Sequence, residues 1–388
     1  MIAKIIVPML LFIVLPEIYF ELHFFLHKKN FSWWKRMFWW LPAVIMIVFS
    51  VCLATADDFL PEDAKWIEIY FFALAVLVVP KAVFAGCSGI GWLYRKYTGS
   101  KYNFGNLIGA FLAVCFSGMM LYGLTAGFKR LEIKHIDLTV SDLPASFDGY
   151  RIVHFSDAHV GTFMGPNKWI LKRDVDSINA QHGDMVVFTG DIQNTHPREL
   201  YPHLDVLKSI QAPDGVYSIL GNHDYSKYVK AKGTEAMKNE QETQAFERSL
   251  GWNLLMNENR TVRRGGDSIF VAGTEYDNSK PDPFKADIGK TVMGIPNGAF
   301  TLMLVHTPIQ WKDLVLPNTK AQVTLAGHTH GGQVMAFGVR PTMLSYKEDY
   351  GLFEEAGRYL EVTAGLGGTV PFRFGATPEI VVITLHRK

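Results

Sequence analysis

The stretch GDMVVFTGD at residues 183–191 decides the fold of the second half of this chain. Its four apolar residues, Met185 to Phe188, are too few for a helix and run into Gly190-Asp191, so they read as a buried strand that delivers a carboxylate at its end. The construction recurs on both sides of it. Arg151 to Phe155 leads to Ser156-Asp157-Ala158-His159, Val216 to Leu220 to Gly221-Asn222-His223-Asp224, Leu302 to Val305 to His306, and Val323 to Leu325 to Gly327-His328-Thr329-His330. In layered sheets, sites are built on the loops after the strands' carboxyl ends, so these endings predict one site. Its donors are carboxylates, an amide and imidazoles. That set suits one or two transition ions better than a thiolate-bound structural zinc.

Taken singly, the endings differ in specificity. Asp157-x-His159 and Gly190-Asp191 are weak motifs, whereas a Gly before an Asn-His pair at 221–223 is an uncommon construction at a strand end. The GHTHGG run at 327–332 is the strongest, because its glycines let the backbone approach an ion or a phosphate closely. His154, His182 and His203 carry no such context and read as ordinary surface or hydrogen-bonded histidines. Between the strands, Asn167 to Ala180 has apolar residues at helical spacing, as do Leu200 to Ile210 and Glu242 to Leu250. The charged stretch 227–260 reads as a surface excursion, and the alternation of Ile133, Ile136, Leu138 and Val140 as an edge strand.

The first third is a different material. Ile5 to Phe25, Met37 to Ala56, Trp66 to Gly86 and Phe104 to Gly127 each approach the roughly 20 apolar residues of a bilayer-spanning helix. A signal peptide would explain only the first, and that segment lacks a small-x-small cleavage site. The organisation expected is therefore a four-helix membrane domain over 1–128, a linker and first strand over 129–149, and a globular domain over 150–388. Lys28, Lys29, Lys35 and Arg36 in the first loop and Arg95, Lys96 and Lys101 in the third, against Asp57, Asp58, Glu62 and Asp63 in the second, place the odd loops inside. Both termini and the globular domain then lie outside the cytoplasmic membrane, although Lys129, Arg130 and Lys134 argue the other way. Glu17, Glu21 and Lys81 fall near predicted helix ends, where long side chains can snorkel, and read as pairing with bundle partners or with water near the cytoplasmic interface.

With 38 Lys plus Arg against 37 Asp plus Glu, the chain has no basic stripe for a nucleic acid. Cys52, Cys87 and Cys115 all lie in or beside membrane segments, so no disulfide is expected in the globular domain.

The ordered set Asp-x-His, Gly-Asp, Gly-Asn-His-Asp, His, Gly-His-x-His, together with FDGYRIVHFSD at 147–157 and the segment 373–379, resembles the calcineurin-like metallophosphoesterase superfamily from about Ile133 onward. It is most similar to the membrane-associated bacterial branch of YkuE- and YaeI-like proteins. The resemblance implies an α+β fold, a four-layer αββα sandwich, here preceded by the all-α transmembrane bundle. It also implies two divalent ions, Mn, Fe or Zn, with Asp191 bridging them. Asp157, His159 and His330 would complete one ion, and Asn222, His306 and His328 the other. His223 would then serve as a proton donor to the leaving oxygen, with Asp224 fixing its tautomer, and Arg373 would contact the substrate phosphate. Two ions about 3.5 to 4 Å apart clamp the attacking and leaving oxygens of a phosphoryl transfer.

Three classes of function remain open at this level. A membrane-anchored phosphoesterase would act on a phosphodiester or pyrophosphate, with a lipid-linked substrate such as UDP-2,3-diacylglucosamine and a soluble diester both admissible. A phosphatase-fold binding or sensory protein would hold metal without turnover. A transporter would need interrupted polar helices along a substrate path, which the membrane part does not offer.

Overall fold

The computed structural model describes residues 2–26, 32–55, 65–226, 228, 234–276 and 285–388. Two compact units divide at Ala126 and Gly127.

The first unit is helical. Helix α1 (Ile2–Phe20) continues into a π turn at Glu21–Phe25, and α2 spans Trp33–Thr55. The third membrane segment is α3 (Lys65–Ala73), a π turn at Leu74–Val78 and α4 (Val79–Thr98), followed by α5 (Phe104–Thr125). All four segments are long and apolar enough to cross a membrane. The widened turn at 74–78 immediately precedes Pro80, which lacks the donor for the helical ladder. The third segment runs twelve residues beyond the expected end at Gly86, so Arg95 and Lys96 lie in its last turn. Gly99, in the left-handed conformation at φ 72°, ends it, and Asn103 caps α5 by accepting the Gly105 N–H at 3.1 Å. Lys28, Lys29, Asp57, Asp58, Glu62 and Asp63, on which the orientation argument partly rests, lie outside the described residues.

Glu17 is buried and pairs with Lys81 at 2.6 Å, as the reading of bundle partners expects, while Lys81 also lies 4.5 Å from the centre of the Trp39 ring. Glu21 pairs with Arg36 at 2.8 Å. Each ionisable side chain singled out in these helices therefore has an opposite charge inside the bundle.

The second unit is two six-stranded sheets face to face. The first contains β1 (Glu132–Val140), β2 (Tyr150–Phe155), β3 (Met185–Phe188), β4 (Val216–Ser218), β5 (Asn253–Leu254) and, between β1 and β2, the last strand of the chain, Glu379–Arg387. The second contains β6 (Glu258–Arg264), β7 (Asp267–Gly273), β8 (Thr301–Leu304), β9 (Val323–Ala326), β10 (Gly351–Glu355) and β11 (Arg358–Val362), so the last strand is β12. Strands β2 to β5 are parallel, as are β7, β8, β9 and β11. Period-two alternation builds the layers. Ile152, Met185, Val187, Leu302, Leu325 and Ile383 meet in the core between the sheets. Val153, Phe155, Val186 and Phe188 turn outward and bury the apolar face of α6 (Lys168–Asn179). Met303, Val305, Ala326 and Val362 do the same for Trp311 and Val315, which completes the four-layer αββα sandwich.

Local departures from the sequence reading have clear causes. The stretch 200–210 is short 3-10 turns and one turn of helix, α7 (Leu204–Lys208), because Pro202 interrupts it. Helix α8 (Thr234–Ser249) starts eight residues before Glu242 and is no mere surface excursion, since Thr243, Phe246 and Glu247 are buried.

The register also fixes where the chain enters the domain. Glu132 opens β1 opposite Glu379 of the parallel β12, and Val381 of β12 lies opposite His154 of the antiparallel β2. The start of β1 is thus at the same sheet edge as the carboxyl ends of β2, β3 and β4. Phe128, just ahead of β1, is buried and stacks on Phe163 at 5.8 Å, in the loop that follows His159. Arg173 of α6 donates to the Lys129 carbonyl.

Candidate metal centre

All the sequence-predicted donors converge at this edge. Five of them, Asp157, His159, Asp191, His328 and His330, have positive φ, between 43° and 74°, which a residue with a side chain adopts at a cost of order 1–3 kcal/mol. The strain is held by backbone bonds between loops: Asp157 N–H to the Gly190 carbonyl at 2.9 Å, and His159 N–H to the Asp191 carbonyl at 3.1 Å. Close approach dictates the glycines. A Cβ on Gly221 would lie 2.3 Å from Asp191 Oδ1, and one on Gly327 would lie 2.2 Å from Asp157 Oδ2.

Asp191 stands between two groups. Its Oδ2 is 3.3 Å from His306 Nε2 on one side and 3.7 Å from His159 Nε2 on the other. Around His306, Asn222 Oδ1 is 3.0 Å from Nε2 and His328 Nδ1 is 3.2 Å from the same atom. Around His159 lie Asp157 and His330, whose Oδ1 and Nε2 are 3.5 Å apart.

Tautomers follow from carbonyl oxygens that only accept. His159 Nδ1 donates to Gln193 O at 3.1 Å and His306 Nδ1 to Thr189 O at 2.7 Å, so both Nε2 atoms offer lone pairs to the interior. Asn222 Nδ2 donates to the Tyr228 hydroxyl at 2.9 Å, which turns Oδ1 inward. Asp157 Oδ1 and His159 Nε2 are buried with no hydrogen-bond partner. Orphaned acceptors facing one another are what a bound cation satisfies, so the residues present fit divalent metal.

The electrostatics agree. Burial and the neighbouring His223 push His159 down to about 3, and burial takes His328 to a similar value. Burial raises the Asp157 carboxyl to about 6. Although burial opposes charge on His306, the Asp191 carboxylate outweighs it and raises the imidazole to about 9. Four histidines around two carboxylates therefore form a nest of competing charges that a cation would reorganise.

Two expectations are corrected. Asp224 does not fix the His223 ring: its carboxylate accepts the backbone N–H groups of Gly221 (2.8 Å), Asp191 (2.8 Å) and Ile192 (3.0 Å), tying two site loops together. The His223 tautomer is set by the Asn194 carbonyl, 2.5 Å from Nδ1. Arg373 is buried, with its guanidinium on the carbonyls of His330, Ala364 and Gly367 and against His330 Nδ1. It holds a site loop from behind instead of reaching a phosphate. His223 also lies close enough to His159 and Asp191 to share an ion with them.

Residues with no sequence signal complete the surroundings. Tyr346 hydroxyl is 3.0 Å from His328 Nε2, and it also lines a cleft of about 390 Å³ with Pro308, Ile309, Lys312 and Lys347. His154, read as ordinary, is buried between the sheets, with Nδ1 2.5 Å from Glu361 and Nε2 2.9 Å from Thr189.

A sandwich with its parallel strand ends furnishing carboxylate, amide and imidazole donors defines a metal-dependent hydrolase of phosphoric esters. Residues 150–332 match the calcineurin-like phosphoesterase family, and residues 3–128 match a family described as a probable calcineurin-like phosphoesterase transmembrane domain. The uncharacterized metallophosphoesterase YkuE of Bacillus subtilis is 32% identical over 295 residues, covering 71% of this chain and 96% of that protein. A zebrafish (Danio rerio) transmembrane protein with a metallophosphoesterase domain is 27% identical, covering 69% of this chain and 60% of its own length. The UDP-2,3-diacylglucosamine pyrophosphatase LpxG of Chlamydia trachomatis is 28% identical, covering 65% and 88%. The chain belongs to the calcineurin-like metallophosphoesterases, and it is a membrane protein.

Proposed function

We propose that this protein is a two-metal hydrolase of a phosphodiester or pyrophosphate carried on a lipid. The observation that carries the two-metal reading is the position of Asp191 Oδ2 between the His306 and His159 groups. Asp157, His159 and His330 would hold one ion and Asn222, His306 and His328 the other, with Asp191 serving both. Divalent ions there, Mn, Fe or Zn, supply Lewis acidity toward a phosphoryl oxygen and acidify a water.

The chain's own residues do the rest. Carbonyls of Gln193 and Thr189 keep His159 and His306 in the ligating tautomer. His223 is partly exposed and stacked on Tyr228 at 4.2 Å, and Asn194 holds its Nδ1, which leaves Nε2 as the atom for proton transfer. As water oxygen bonds to phosphorus and the P–O bond to the leaving group breaks, protonated His223 gives its Nε2 proton to the departing oxygen. The cleft beside Tyr346 takes the part of the substrate next to the phosphate.

Two observations favour a lipid-borne substrate. The tether joins the domain at the metal edge, and the LpxG relative is named for a diacylated pyrophosphate. A short tether raises the effective concentration of a membrane-borne substrate and not of a soluble one. The basic residues of the first and third loops favour an orientation with the domain outside the cytoplasmic membrane.

The test is hydrolysis by the full-length protein in vesicles, metal-loaded or chelator-treated, of a diacylated nucleotide pyrophosphate and of bis(p-nitrophenyl) phosphate. The expected result is metal-dependent turnover with higher kcat/KM on the lipid. Undiminished activity after chelation sinks the metal mechanism, turnover of the soluble diester alone sinks the lipid assignment, and metal content without turnover leaves a binding protein.

A further inference from the structure

Seven residues after His330 the chain makes a tight reversal. Ala336 and Val339 exchange both backbone hydrogen bonds, at 3.1 and 2.9 Å, around Phe337 and Gly338, which have φ of 52° and 78°. Two positive φ values at the tip are the signature of a primed hairpin turn, where Asn or Gly is the favoured first residue. Phenylalanine there is disfavoured by its backbone, and it is also fully exposed, at 106%. The short 3-10 turn Pro341–Leu344 follows, with Leu344 at 93% and Val339 and Met343 exposed as well. Four large apolar side chains thus crowd into eight residues.

The loop is firmly built. Arg340 donates from Nε and Nη2 to Asp349 at 2.7 and 2.9 Å, and Thr342 adds a third bond at 2.8 Å. Met335 N–H bonds the Phe374 carbonyl at 2.6 Å, and Gln333 reaches the Val370 carbonyl at 3.2 Å. Next to Asp349, Tyr350 donates to Glu379 at 2.8 Å, and Glu379 pairs at 2.7 Å with Lys134 of β1, the strand that opens from the tether. Loop, metal edge and tether are one braced assembly. A rigid apolar tip of this kind is a surface awaiting a partner.

The chain itself says which partner. From Thr125, the last residue of α5, to Glu132 there are seven residues, at most about 25 Å of chain, and they end at the metal edge. That edge cannot stray far from the bilayer. Lys129, Arg130 and Lys347 are exposed on the tether and beside the loop, where anionic headgroups would attract them.

The geometry points to the loop 336–344 as a membrane-inserting wedge: Phe337, Val339, Met343 and Leu344 enter the acyl boundary and hold the metal centre open toward the headgroups. The apolar side chains supply the insertion energy and the basic residues the attraction. Insertion is independent of which phosphoester is cleaved. Its consequence, that the site is fed from the membrane plane, rests on the lipid reading above.

The test uses full-length protein with Cys52, Cys87 and Cys115 changed to serine, reconstituted in phosphatidylcholine–phosphatidylglycerol vesicles. Nitroxide labels go on Phe337→Cys, on Leu344→Cys and, as a solvent reference, on Arg263→Cys near the β6–β7 turn at the opposite edge. Labels at 337 and 344 should collide preferentially with oxygen, and the label at 263 with an aqueous nickel chelate. Water-like collision ratios at 337 and 344 overturn the wedge whether or not the protein turns over any substrate. In parallel, Phe337→Asp with Leu344→Asp should lower hydrolysis of a vesicle-borne lipid pyrophosphate about tenfold or more while bis(p-nitrophenyl) phosphate is cleaved as before. Equal loss on both substrates, or on neither, counts against it.

Discussion

His306 Nε2 lies 3.0 Å from Asn222 Oδ1, and both atoms are acceptors, because the His306 Nδ1 proton is committed to Thr189 and the Asn222 amide protons face Tyr228. Two lone pairs at that distance need a cation between them. The Asp191 carboxylate beside it raises the His306 imidazole to about 9 despite its burial, so this spot draws positive charge. The polarity of the rest of their hydrogen bonds is what supports the proposal that the pair are ligands.

Asp191→Asn should be the most damaging single ligand change, since it weakens both ions at once. Elemental analysis of purified protein should give less than one ion per chain, with kcat falling further than in Asn222→Ala or His330→Ala. Retention of two ions would remove Asp191 from the bridging position.

His223→Ala should keep the metal content of the parent and lose on the order of 10² to 10⁴ in kcat, the range of a lost general acid. The outcome matters because His223 also lies within ligand distance of His159 and Asp191. Loss of an ion alongside activity would reassign it as a ligand.

Asp224→Asn exchanges one acceptor oxygen for an amide donor facing backbone N–H groups of Gly221, Asp191 and Ile192. A cost of about 1–3 kcal/mol is expected, seen as a lower melting temperature and faster metal loss. The pH profile of turnover should keep its shape, because the tautomer of His223 depends on Asn194 and not on this carboxylate. A displaced basic or acidic limb would restore Asp224 to the proton path.

Burial and nearby Lys168 lower His203 to about 4, against about 6.5 in an unfolded chain. Between these values the unfolded chain binds the extra proton, so the stability held above pH 6.5 drains away as pH falls toward 4. His203→Leu should therefore lose less melting temperature between pH 7 and pH 4.5 than the parent, within an upper bound of about 3 kcal/mol. Parallel curves would show that His203 is not the titrating group.

The strand ends were legible because a short apolar run followed by Asp, Asn or His leaves little choice of conformation, and all the donors named from the motifs meet at one edge. The membrane segments were legible by hydropathy, yet the third was read too short. Its last turns pack through Gly91, where a Cβ would sit 2.0 Å from Asn103 Oδ1, and small residues lower apparent hydropathy while tightening helix contact. The roles of Asp224 and Arg373 were misread for a different reason. Both bind main-chain atoms, and a carbonyl or N–H carries no residue signature. Tyr346 and Tyr228 escaped because only the folded loops bring them to His328 and Asn222.

The positive φ of Asp157, His159, Asp191, His328 and His330 bears on the history of the family. At such positions glycine is the residue the backbone itself favours, so a side chain kept there for ligation is held at a cost of about 1–3 kcal/mol. A lineage that kept the sandwich as a scaffold and abandoned catalysis would gain stability by drifting toward Gly and Asn at these five sites first. The fold thus carries its own record of use: descendants that have retired the chemistry should be recognisable by which residues relaxed, before any of them is assayed.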